Sequence, residues 1–356
     1  MTGRTNISLA RTATLALAAF CLLFASSACV KSEVSSGWSD DPVGFSTYGQ
    51  KSTKASDTYV STTAFNLNDV IGVFGFYTQS ADWSASSPVN FMFNEDVVRE
   101  AYEWTYDPVK YWPNVTGEKL SFWGYYPQGC TSLTFYDSSD NEYANTAVGL
   151  PAKAVFTQED DAKDHIDLMF SKFENGYERN LTKPAVDALV NLRFTHALSQ
   201  LRFEFEAMPS GMSVEITALS ISNMRPSGTL VINAADPTAY SGRWTPSGAR
   251  QAFVCTDFST ADKAAFLVVP QSLEDATPAN EPAVTVTYNL VTTAADGSDD
   301  VKYTGMTGTA KLKTVTLTSL DPGKIYTWVM RPSFDPIEFS EVFTEDWVLS
   351  TPNINL

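Results

Sequence analysis

The sequence predicts an all-β protein, arranged as two antiparallel β-sandwiches in tandem, and three observations carry that expectation. Aromatic residues make up 13% of the chain, beside abundant Thr, Ser and Val, a composition that suits pleated, half-buried surfaces. Short apolar runs recur between clusters of Gly, Pro, Asn and Asp, which supply turns. Heptads, short-period repeats and long helical patterns are absent from the sequence.

Taken in order, the chain opens with a secretory pattern. Arg4 and Arg11 give a positive start, Thr12 to Phe24 is almost unbroken apolar chain, and Ala25-Ser26-Ser27-Ala28 offers the small residues a signal peptidase accepts. Cys29 follows directly, placed for attachment of acyl chains such as palmitate. The apolar run is shorter than the roughly 20 residues a spanning helix needs. Residues 1–28 are therefore expected to be a lipoprotein signal peptide, and 29–56 a polar tether with a leader strand at Val43-Gly44-Phe45-Ser46. Removing the signal leaves roughly 330 residues, room for two domains of ordinary size.

The first domain is expected over residues 57–186 and the second over 187–356. Val70–Tyr77 reads as a strand buried on both faces. Trp104–Trp112 is dense in aromatics, and Leu120–Tyr126 is a second buried strand that Pro127 terminates. Beyond Lys183-Pro184 the alternation is cleaner. Val190, Leu192 and Phe194 face one way, then Leu201, Phe203 and Phe205, as in strands with one wet and one dry face. Along Val214–Ile221 the apolar parity shifts between Ile216 and Leu219, which requires a β-bulge. Leu230–Ile232, Phe266–Val269 and Val284–Tyr288 continue the series. Asp321-Pro322-Gly323-Lys324 is a turn feeding the strand Ile325–Met330.

Composition excludes whole classes of function. The formal charge is −17, and no basic surface is available for nucleic acid. Two His residues leave little scope for zinc or triad chemistry. No phosphate-cradling Gly loop, no Gly-x-Ser-x-Gly elbow and no metal-type Cys pairing is present. No catalytic residue, cofactor or metal site is expected, so the chain reads as a non-enzyme. His196 is expected to be a structural, hydrogen-bonded histidine. His165, among Glu159, Asp160, Asp161, Asp164 and Asp167, is expected in a solvated acidic loop. Cys130 and Cys255 are expected as two separate thiols. The aromatic set Trp104, Tyr106, Tyr111, Trp112, Trp123, Tyr125 and Tyr126 reads first as core and second as a face for sugars. That second reading supports an alternative function, a surface lipoprotein that binds glycans without polymerising.

Four segments in one order carry a resemblance. They are Leu120-Ser121-Phe122-Trp123-Gly124-Tyr125-Tyr126-Pro127 (after Tyr111-Trp112-Pro113); Asp167-Leu168-Met169-Phe170-Ser171; Leu192-Arg193-Phe194-Thr195-His196-Ala197-Leu198-Ser199-Gln200-Leu201-Arg202-Phe203; and Pro322-Gly323-Lys324-Ile325-Tyr326-Thr327-Trp328 with Ile337-Glu338-Phe339-Ser340 and Asp346-Trp347. Together they resemble the fimbrillin family of Bacteroidales, the Mfa-like, type V pilin precursors. The resemblance implies transthyretin-like, Greek-key sandwiches in a surface lipoprotein of the outer membrane. It also implies a subunit or an accessory (anchor or tip) protein of a pilus, which supports adhesion and contacts a receptor. Partners would be other pilin subunits, joined head to tail by donor-strand exchange.

In that family a surface protease often cuts after a leader strand at an Arg. The matching stretch here is Ser52-Thr53-Lys54-Ala55, which makes Lys54 the candidate cleavage residue. Val43 and Phe45 are the candidate leader-strand anchors. Ile337, Phe339, Val342, Phe343, Trp347 and Leu349 are the candidate donor-strand residues. The alternative for Ile337–Leu349 is the last strand of the second sandwich.

Overall fold

The computed structural model describes residues 37–48, 65–101, 103–185, 188–206, 208, 210–256, 264–293, 299–331 and 338–347. Cys29, Lys54, Ile337 and Leu349 lie outside them. The regular structure among the described residues is all β-strand apart from two short 3-10 turns, at Ala162–Asp164 and Pro278–Asn280.

In chain order the strands are β1 (Trp38–Pro42), β2 (Phe45–Tyr48), β3 (Val70–Tyr77), β4 (Met92–Arg99), β5 (Trp104–Thr105), β6 (Tyr111–Pro113) and β7 (Lys119–Tyr126). Then come β8 (Leu133–Tyr136), β9 (Lys153–Thr157), β10 (Met169–Ser171), β11 (Leu181–Thr182) and β12 (Val190–His196). The remainder is β13 (Ser199–Phe205), β14 (Met212–Met224), β15 (Ser227–Val231), β16 (Trp244–Ser247), β17 (Gln251–Cys255) and β18 (Ala264–Val268). β19 (Ala283–Thr293), β20 (Asp299–Lys311), β21 (Lys324–Arg331) and β22 (Glu338–Asp346) complete the series.

The first large sheet runs β10-β12-β2-β5-β4-β3-β7-β11, and β10 also pairs with β7. Pairing therefore returns on itself, from β10 through β12, β2, β5, β4, β3 and β7 back to β10. The circuit closes through short pairings: β5 meets β4 only at Val98 and Arg99 and meets β2 only at Phe45, so Met92–Val97 of β4 is paired on its β3 side alone. Alternation sorts the side chains of each stave onto two sides. Ile71 and Val73 of β3, Leu120 and Phe122 of β7, Met169 of β10, and Val190, Leu192 and Phe194 of β12 share one core with Val43 and Phe45. Their neighbours Phe74, Phe76, Trp123 and Phe170 face the other way into a second core.

That second core is covered by the sheet β16-β15-β9-β8, which contributes Ala154, Phe156 and Leu230. Two more four-stranded sheets, β18-β13-β21-β22 and β17-β14-β19-β20, enclose a third core containing Leu201, Phe203, Ile221, Phe253, Tyr288 and Trp328. The β14 register against β19 shifts between Ile216 and Ala218, the bulge that the parity change requires. The expected division at residues 186 and 187 precedes β12. Because β12 pairs with β10 and β2, the change of sheet comes between β12 and β13. A single stretch from Val190 to Phe203 thus threads all three cores.

Candidate assembly site

The N-terminal segment enters the circuit as β2. It lies parallel to β12, with Phe45 opposite Val190 and Tyr48 opposite Arg193, and antiparallel to β5 through Phe45 and Trp104. The backbone N–H of Val190 donates to the Gly44 carbonyl at 2.8 Å, and the Val43 N–H donates to the Lys110 carbonyl at 2.8 Å. Val43 and Phe45 are each only 1% exposed. The Phe45 ring meets Phe122 edge-on at 5.3 Å and Tyr106 at 5.6 Å, arrangements favoured by the aromatic quadrupole.

Tyr106 clamps this strand. Its hydroxyl donates to the Val43 carbonyl at 2.7 Å and accepts from the Lys110 N–H at 3.2 Å. Burial raises the phenol to about 12; the Lys110 backbone contact opposes that rise, and Glu95 and Tyr111 add to it.

β1 extends the same grip, pairing with β6 so that Trp38 lies opposite Pro113 and Pro42 opposite Tyr111. The Trp38 ring packs on Tyr77 at 5.1 Å and on Phe91 at 5.4 Å. Asp41 forms an ion pair with Lys183 at 2.5 Å. Sequence reasoning missed β1, because Trp-Ser-Asp-Asp-Pro is polar apart from its first residue and reads as a tether. The span 49–64, which contains Lys54, connects β2 to Phe65. Phe65 is buried again, edge-on to Trp104, Tyr126 and Phe194.

At the other end of the chain, β22 runs antiparallel to β21 and forms an outer edge of its sheet. Phe339 lies opposite Met330, Val342 opposite Trp328 and Phe343 opposite Thr327. Val342 packs on the third core, while Phe343 is 53% exposed. Trp347, just past the strand, is buried in the second core. The leader and donor candidates are therefore not brought together. One set sits in the first circuit and the other closes the edge of a different sheet.

Trp347 stacks on His196, with centroids 3.6 Å apart and planes 7° from parallel. His196 Nδ1 lies 2.9 Å from Asp167 Oδ1, both side chains being buried. The sequence placed no acidic partner beside His196. Asp167 reaches it because β10 begins two residues later and pairs Met169 with His196. His165 is likewise not in a solvated loop. It is 1% exposed, its Nδ1 accepts from the Leu267 N–H at 2.9 Å, and Phe253 and Phe266 flank its ring. Asp161 caps the short turn before it, and Lys163 and Asp164 of that turn are the exposed residues.

Five of the seven aromatic residues are turned inward, and Tyr106 and Tyr111 are half-buried. Trp104, Trp112, Trp123, Tyr125 and Tyr126 are all buried, so their rings offer no surface on which a sugar could stack. Cys130 is half-buried and Cys255 buried, with no disulfide between them. Among the described residues no cluster of His, Cys, Asp and Glu is arranged to hold a metal ion. Among the same residues no helix is long and apolar enough to cross a membrane.

Residues 53–347 match the profile of the fimbrillin-like family. A curated relative, fimbrium subunit Fim1C of Phocaeicola vulgatus, is 25% identical over 163 residues. That stretch is 45% of this chain and 42% of the relative, so the match spans under half of that protein's length. Among solved structures, a fimbrial protein from Bacteroides vulgatus superposes with a TM-score of 0.52 at 18% identity, covering 87% of this chain and 100% of that one. That likeness shows a shared fold. With the profile covering most of its length, the chain belongs to the fimbrillin-like family.

Proposed function

We propose that this protein is a structural subunit, or an anchor or tip accessory, of a surface fimbrium that supports adhesion, without enzymatic activity. Subunits join head to tail by strand exchange at the position of β2. The observation that carries this reading is that an N-terminal strand completes a circuit otherwise built by residues after 65. Take β2 away, and β12 presents a row of unpaired backbone groups, with Trp104 of β5 across from it, beside a slot lined by Phe122, Tyr106 and Trp104. An extended segment from another copy satisfies both the hydrogen bonds and the apolar slot. Each large side chain so buried contributes about 1.5–3 kcal/mol. A contact of this kind is heterologous, so it propagates as a filament instead of closing.

In this reading Cys29 carries the acyl anchor in the outer membrane, and a cut at Lys54 severs the leader from the folded body. The C-terminal segment Ile337–Leu356 is the donor. The test is a chain with an engineered protease site within residues 49–64, cut and then freed of its leader. Filament ladders that resist detergent but collapse on boiling are expected. The same chain truncated after Pro336 should stay folded and monomeric. A cut, leader-free, full-length chain that remains monomeric would overturn the proposal.

A further inference from the structure

The described side chains of β22 are loosely held, and the residue that follows the strand is firmly held. Of its described side chains, Val342 is half-buried and Phe343 through Asp346 are exposed. Lys324 pairs with Asp346, and Arg202 lies 3.6 Å from Glu345, but both acids are largely solvated and such pairs contribute little. Trp347 is different, being 8% exposed and packed into the second core. Its ring covers His196, the last residue of β12, and not a residue of its own sheet. The Trp347 backbone N–H donates to the Gly323 carbonyl at 2.8 Å, and the Gly323 backbone N–H donates to the Leu198 carbonyl at 2.8 Å. Asp167 holds the imidazole from the opposite side of the junction. The end of β22 is thus fastened to the strand that borders the leader.

We propose that the Trp347–His196 stack is a catch that keeps β22 seated on β21, and that its release frees β22 to pair with a second copy of the chain. The proposal rests on the strand-exchange reading for its consequence, but not for its physics. With the indole withdrawn, the described part of β22 keeps its ladder to β21, two solvated ion pairs and the partial burial of Val342. It then opens from its C-terminal end, and among the described side chains of β22 only Val342 leaves the margin of the third core.

Hydrogen exchange on the uncut full-length chain reads the catch directly. In Trp347→Ala, amides of 338–347 should exchange at least about tenfold faster, while those of β13 and β14 keep their protection. Trp347→Phe should restore much of the difference. A disulfide staple between Thr327→Cys and Phe343→Cys, which lie opposite each other, should restore it in the Trp347→Ala background. If Trp347→Ala does not fold, His196→Gln makes the same test by removing the ring beneath the indole.

Unchanged exchange in β22 overturns the catch. So does loss of protection in β13 and β14 together with β22, since Trp347 would then be ordinary core. The leader-free form separates the two proposals. Fast β22 exchange without ladders keeps the catch and counts against strand exchange. Ladders with unchanged β22 exchange do the reverse.

Discussion

Single side chains decide how tightly the leader is held and how the first circuit tolerates change. Tyr106→Phe removes the donor to the Val43 carbonyl, at a cost of about 1 kcal/mol. Measured after cutting in 49–64, the leader should dissociate about fivefold faster. The phenol also sets a pH window. Its folded value is raised to about 12, above the free value of about 10. Its contribution is therefore complete below about 10 and is lost as pH rises through about 12. Folding stability should fall across that interval in the native chain and fall less in Tyr106→Phe.

Glu178 is fully buried and accepts two 2.7 Å bonds from Arg193 and one from the Glu174 N–H at 3.0 Å. Glu178→Ala strands part of that guanidinium charge and should lower stability by about 3 kcal/mol in denaturant titration. Gly72→Ala should also destabilise, because a Cβ there would sit 2.2 Å from the Tyr125 ring. Gly44→Ala should be milder, since its clash is with the far end of the exposed Leu189. None of these partnerships was legible in the sequence. Asp167 and His196, or Glu178 and Arg193, meet only through pairing of distant segments, which no local spacing encodes.

At the scale of strands, the sequence was far more readable. The buried runs of β3 and β7, the alternation of β12 and β13 and the bulge in β14 all follow from side-chain period, because a sheet with one dry face enforces it. β1 and the small strands β5 and β11 were not legible, since two or three residues carry no period and β1 packs through little beyond Trp38. For β2, Phe45→Ala empties the space against Phe122 and Tyr106, a change that costs about 3 kcal/mol in a well-packed site. Leader dissociation from the cut chain should then quicken by about a hundredfold. A rate unchanged from the native chain would show that β1, and not Phe45, holds the leader.

For the whole molecule, the all-β class was evident from composition and turns, but the return of the first sheet upon itself was not. Closure depends on β10 pairing with two strands at once, and three residues give no hint of it. Charge, by contrast, is legible at a glance. The full chain carries −17 and its leader-free form is slightly more acidic, so copies repel one another, and salt screens that repulsion over a Debye length of about 10 Å at 0.1 M. Growth of filaments from leader-free protein should accelerate several-fold between about 20 and 200 mM salt. Slower growth at the higher salt would point to attraction between opposite patches.

The long stretch through β12 and β13 has a mechanical meaning. It lies parallel to β2 on one side of the junction and parallel to β21 on the other. Where a pull runs along parallel neighbours, their ladder is loaded in shear, so many bonds must yield together instead of peeling singly. A rope spliced from such lengths would resist flow far better than its individual, modest contacts imply.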